Sequence, residues 1–143
     1  MSLRRSIRGS VVIRVRWGDA ERGTAVAEFV MVAALLTGLT LAVLQLALAL
    51  HIRNTVLDAA AEGARYAALA DSGLGQGAER SRDLITAALG PAYAADVTAD
   101  YTSVAGQPGV RVRVVAPLPL FGLFGVADGL EVEGHAVVEG SVG

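Results

Sequence analysis

From Phe29 to Leu50 the chain runs 22 residues without Asp, Glu, Lys, Arg or Pro, and a carboxylate, Glu28, stands immediately before that run. At about 1.5 Å per helical residue the run spans roughly 33 Å, against a hydrocarbon core of about 30 Å, so it predicts a transmembrane helix over 29–50. Charge divides around it. The residues before Gly23 hold Arg4, Arg5, Arg8, Arg14, Arg16 and Arg22 against Asp19 and Glu21, a balance of +4, while the chain from Thr24 onward holds six Arg against 12 acids, a balance of −6. The positive-inside rule then puts the leader in the cytoplasm and the C-terminal part across the membrane. An exported part that is net acidic offers no basic surface for nucleic acid.

The rest of the composition limits what can follow the span. With 143 residues, mean hydropathy +0.51 and 18% charged residues, there is room for one membrane segment and one small domain. No cysteine is present, so disulfides, thiol nucleophiles and Cys-based zinc sites are excluded and the outer domain has to hold together by packing.

Three kinds of processing are open to such a leader. A secretory signal would end at a small-residue site such as Ala47-Leu48-Ala49, but the apolar run is longer than the 7 to 15 residues about which such signals are built. Arg4-Arg5 lies more than 20 residues ahead of the run, too far for a twin-arginine signal. The third is a cut on the cytoplasmic side after Gly23, which would leave the helix with the mature chain.

Arg22-Gly23-Thr24-Ala25-Val26-Ala27-Glu28-Phe29, followed by the long apolar helix, resembles the class III signal of type IV prepilins in the form found in TadE-like proteins of tight-adherence (Tad/Flp) pili. Ala59-Ala60-Ala61-Glu62-Gly63-Ala64-Arg65 is similar to a second segment of that family, and the late Val-rich strands around a Pro/Leu/Phe linker extend the resemblance to roughly Glu139. The resemblance implies a cut after Gly23 by a prepilin peptidase, Thr24 as the new N-terminus, and Glu28 and Phe29 as residues of recognition and assembly. It also implies, as partners, other pilin subunits and a Tad assembly platform with its ATPase.

Glu28 admits two readings on physical grounds. An ionisable group at a helix centre costs about 2.5 to 3.5 kcal/mol on insertion scales, less near the interface, and usually finds a partner; the freed Thr24 ammonium, of its own or a neighbouring subunit, is one. Otherwise the carboxylate snorkels to the interface with no fixed partner. Within the run Ala34, Gly38 and Ala42 recur every four residues and offer a small-residue face for helix packing; Gln45 is its one strongly polar group, and Thr37 and Thr40 can bond back to helix carbonyls. The same small residues are also what an Ala-rich chain contains by composition.

Beyond Leu50 the helical pattern continues to about Ala70. Ile52, Val56, Ala59, Ala60 and Ala67 favour one face, while Asp58, Glu62 and Arg65 favour another, where Glu62 and Arg65 form an exposed pair. The expected organisation is a leader 1–23, a long helix 24–71 and a small outer domain 72–143. Asp71–Gly77 reads as a turn-rich break, Ser81 as the N-cap of a short helix ended by Gly90-Pro91, and then the period becomes two. Val97, Ala99 and Tyr101 alternate with Thr98, Asp100 and Thr102, Val110, Val112 and Val114 alternate with Arg111 and Arg113, and the two runs read as a hairpin across a Gly106-Gln107-Pro108-Gly109 turn. A third strand is expected over 130–139 with Glu131 and Glu133 facing Arg111 and Arg113. The apolar segment Pro117–Val126 is either core filling or a contact loop.

The fold class expected is therefore α+β and pilin-like: one long N-terminal helix, half in the membrane, packed on about three antiparallel strands with one short extra helix. His51 and His135 sit in no metal-spacing motif, no phosphate loop is present, and the carboxylates form no recognisable acid/base pair. The expectation is a minor pilin or pseudopilin with no enzymatic activity, cofactor, metal or small-molecule substrate. The alternative is an unprocessed single-pass anchor whose outer domain binds an envelope partner.

Overall fold

The computed structural model describes residues 17–69, 71–118, 129–138 and 140. Helix α1 is Trp17–Ala68, helix α2 is Leu74–Leu89, and a single 3-10 turn, Pro91–Ala94, leads into strands β1 (Asp96–Val104), β2 (Gln107–Ala116) and β3 (Leu130–Val137). The three strands form one antiparallel sheet in the order β1-β2-β3. This is the expected α+β architecture of one long helix, one short helix and a small sheet. The chain divides into two compact units, Met1–Thr40 and Leu41–Gly143, and α1 contributes to both.

In the first unit α1 carries Phe29, Met31, Leu35 and Leu39 as exposed side chains. A helix that is apolar all round belongs in an apolar surround. The most apolar 18-residue window of α1 has a mean hydropathy of 2.2 with none of it buried, so by length and composition this helix is a candidate membrane span.

In the second unit the later part of α1 turns a row of small and β-branched residues inward. Ile52, Val56, Ala59, Ala60 and Ala64 pack with Ile85 of α2 and with Val97, Val112, Val114, Leu130 and Val132 of the sheet. The expected inward face of this helix is the one observed. Helix α2 begins earlier than its sequence suggests: Gly73 takes an extended backbone, its N–H donates to Gln76 Oε1 at 3.2 Å, and Leu74–Gly77 are helical rather than a loop. Ser81 is accordingly not an N-cap. It lies in mid-helix, fully buried, and its hydroxyl donates to the Ala59 carbonyl at 3.0 Å. Gly90, at φ +103, closes the helix by donating its N–H to Thr86 O at 3.0 Å.

The hairpin also closes elsewhere than expected. Ala105 (φ 50) and Gly106 (φ 79) form a two-residue turn between Val104 and Gln107, and Pro108 lies in β2 opposite Ser103. Two positive φ values in succession suit the right-handed twist of the flanking strands, which a wider Gly-Gln-Pro-Gly loop does not require. With the shorter turn Val97 is paired with Val114 and Tyr101 with Val110. Burial nevertheless fades along the edge strand β1, from Val97 at 3% to Tyr101 at 70% exposure. Arg82 of α2 reaches the start of β1, donating from Nη2 to Val97 O at 2.7 Å, and Tyr101 lies beyond the covered part. Of the apolar segment after β2, Leu118 packs against the core; residues 119–128 lie outside the described residues.

Candidate processing and assembly site

The Gly23–Thr24 peptide lies inside α1, not in a linker before it. Ala-rich sequence without Pro continues the helix through it, and Asp19 in the first turn suits the positive end of the helix dipole. The Thr24 hydroxyl donates to the Ala20 carbonyl at 3.0 Å. Glu28 is one turn further on, and Thr24 and Glu28 line the same shallow depressions of the helix surface, with Ala20, Glu21 and Ala25 on one side and Met31, Val32 and Leu35 on the other. Residues four apart are neighbours on a helix. The structure therefore sets the Glu28 carboxylate beside the residue whose nitrogen a cut after Gly23 would free. Phe29 is exposed.

Ala34, Gly38 and Ala42 are all exposed, and a Cβ added at Gly38 meets nothing within 4 Å. Among the described residues nothing calls for glycine there. Thr40 donates its hydroxyl to Leu36 O at 2.8 Å, and Gln45 is half-buried.

The second motif divides between surface and core. Glu62 and Arg65 form the expected outward pair, Arg65 Nη1 to Glu62 Oε2 at 3.4 Å, while Gly63 and Ala64 are buried. A Cβ on Gly63 would overlap the Ser81 hydroxyl and come within 2.5 Å of Gly77 O; one on Gly77 would come within 2.6 Å of Gly63 O. Gly134 of β3 lies against the Ala60–Ala61 backbone, where a Cβ would overlap it. The two helices and the sheet thus meet backbone to backbone at three glycines, the close approach that only glycine permits. Gly77, Ser81 and Gly134 were not legible as functional positions. Their partners lie from 10 (Ala67 to Gly77) to 74 (Ala60 to Gly134) residues away in sequence, and each had a plausible local role instead.

On the outer face of the sheet the expected charge pairs are present. Arg113 reaches Glu131 at 3.2 Å and Glu133 at 3.1 Å, and Arg111 reaches Glu133 at 3.6 Å. Asp100, which the sequence did not single out, joins them: Arg111 Nε donates to its Oδ1 at 3.2 Å and Nη2 to its Oδ2. That fork of hydrogen bonds, with the positive charge behind it, holds the Asp100 carboxyl below its ordinary value and raises the Arg111 guanidinium. Three carboxylates share two guanidinium groups across this face, and cross-strand pairs of this kind help fix strand register.

A long helix with an apolar stretch long enough to cross a membrane, a short second helix and a three-stranded antiparallel sheet define the class as α+β with one candidate membrane span. Residues 23–65 match a family model described as TadE-like protein, and over that stretch the chain is similar to that family. The match runs from Gly23 to Arg65, so it holds the first motif except Arg22 and the whole of the second, and lies wholly in α1; the resemblance expected for the strands is outside it. No curated protein and no solved structure matches the chain.

Proposed function

We propose that this chain is a minor pilin or pseudopilin of a Tad-type pilus, cut after Gly23 by a prepilin peptidase and needed for assembly of the pilus. The TadE-like match over residues 23–65 supports an association with Tad pili and a structural role. One observation carries the finer reading: within that match, Thr24 and Glu28 are neighbours on α1, at the boundary of its apolar stretch. Cleavage would place an ammonium on Thr24 at the head of the helix, one turn from the Glu28 carboxylate. Pairing of the two, within a subunit or between neighbours, would neutralise both charges before the chain enters an apolar packing surface. The leader stays in the cytoplasm, the domain from 72 onward faces out, and Ala34, Gly38, Ala42 and Gln45 supply close contacts with neighbouring pilin helices. The small outer domain makes this a subunit added in few copies rather than the bulk of the shaft.

Glu28→Ala tests this. The expected result is a chain still cut at Thr24 and retained in the membrane, but missing from sheared filaments or leaving cells without them. Normal filaments containing the variant would contradict the role given to Glu28. A wild-type chain found only in membranes, leader attached, would favour a permanent anchor.

A further inference from the structure

We propose that the helical turn across the Gly23–Thr24 peptide is a gate to processing: the bond is closed to the peptidase while that turn is helical and is cut only when the turn opens. This deepens the prepilin reading and rests on it. Helix α1 starts at Trp17, so about two turns precede the bond, and the Thr24 hydroxyl ties the first residue of the mature chain to Ala20 of the leader at 3.0 Å.

Hydrolysis adds water across the Gly23–Thr24 amide, breaks the C–N bond, and leaves a carboxylate on Gly23 and an ammonium on Thr24. The attacking oxygen has to reach the Gly23 carbonyl carbon, and the enzyme has to hold the backbone on either side. In an α-helix that carbonyl accepts the N–H four residues on and is enclosed by the next turn, so neither requirement is met until the hydrogen bonds around it open. Cleavage of a segment that opens and closes quickly follows the population of its open form.

The sequence sets that population between two limits. Gly18 and Gly23 weaken the helix, Asp19 in the first turn strengthens it, and the side chains from Gly18 to Glu28 are exposed, with no tertiary cover among the described residues to hold the turn shut. The glycine at the cut is then both the residue beside the broken bond and a weak point of the helix that has to open. At Gly18 an added Cβ meets nothing within 4 Å, so alanine there strengthens the helix without a clash and leaves the residues at the cut unchanged.

The experiment uses the full-length chain in detergent micelles with purified prepilin peptidase, reading the cleavage rate and the amide exchange of residues 20–24. Gly18→Ala is expected to slow both about three- to five-fold, and Ala20→Gly to speed both by about the same factor. Cleavage that stays constant while exchange shifts, cleavage that shifts without exchange, or a Thr24 amide unprotected in the wild type each overturns the gate while leaving the cut at Thr24 standing. No cleavage of the wild type at all would instead remove the reading on which the gate rests.

Discussion

Between Phe29 and Leu50 helix α1 turns Phe, Met, Leu and Val side chains outward, whereas between Ile52 and Ala68 it turns Ala, Gly and Val inward against α2 and the sheet. One stretch is rich in large side chains, which the described residues leave exposed; the other is rich in small ones and is buried by drawing backbones together. Size, rather than hydrophobicity, separates the two. Large aliphatic side chains on every side of a helix demand an apolar surround, which lipid or neighbouring helices provide. Small ones along one side let Gly63, Gly77 and Gly134 bring three elements into backbone contact, and a domain with few large core residues depends on that closeness.

The comparison breaks most readily at the few large residues the domain does bury. Ile85 is fully buried between α1 and the sheet, so Ile85→Ala is expected to destabilise the domain by about 2–5 kcal/mol, measured by chemical denaturation of the chain in detergent. A loss under about 1 kcal/mol would mean the core tolerates cavities and does not depend on close packing.

The same substitution placed in both regions sharpens the contrast. Gly134→Ala drives a Cβ into the Ala60–Ala61 backbone and should destabilise the domain by about 3 kcal/mol, while Gly38→Ala meets nothing and should leave the domain's melting temperature unchanged. Equal effects would erase the distinction. A loss of filaments from Gly38→Ala with the domain intact would locate its role between subunits.

The smallest effect concerns the charged outer face. Asp100 titrates below its ordinary 3.8 in the fold, chiefly through its hydrogen bonds from Arg111, so protonation is disfavoured in the folded state. Its stabilisation is present above the unfolded value and is lost as pH falls through the folded one. The melting temperature of the wild type should therefore decline more steeply below about pH 4 than that of Asp100→Asn. The pair is half-exposed, so the difference should be small and shrink further in salt. Parallel acid profiles would show that the fork contributes nothing.

How much of this was legible in the sequence follows the range of the forces involved. The apolar run, the Gly23 to Glu28 spacing, the inward face of α1 beyond Leu50 and the facing charges of β2 and β3 are local or periodic, and all four can be read from residue type and interval. The start of α2 and the position of the hairpin turn are local as well, yet two motifs competed at each. Three glycines between 73 and 77 signal a break, but Gln76 capping Gly73 lets the helix begin among them; Gly-Gln-Pro-Gly signals a turn, but Ala105-Gly106 closes a tighter one. Ser81 carries the side chain of an N-cap and spends it on a buried carbonyl of another helix instead. That contact, and those at Gly77 and Gly134, are set by tertiary approach and have no signature at their own positions.

The central claim is the cut between Gly23 and Thr24, and the most direct measurement is the mass and N-terminal sequence of the protein from membranes of cells with and without the cognate prepilin peptidase. A chain beginning at Thr24 is expected only where the peptidase is present, and the full leader where it is absent. An intact leader in both strains would contradict that claim.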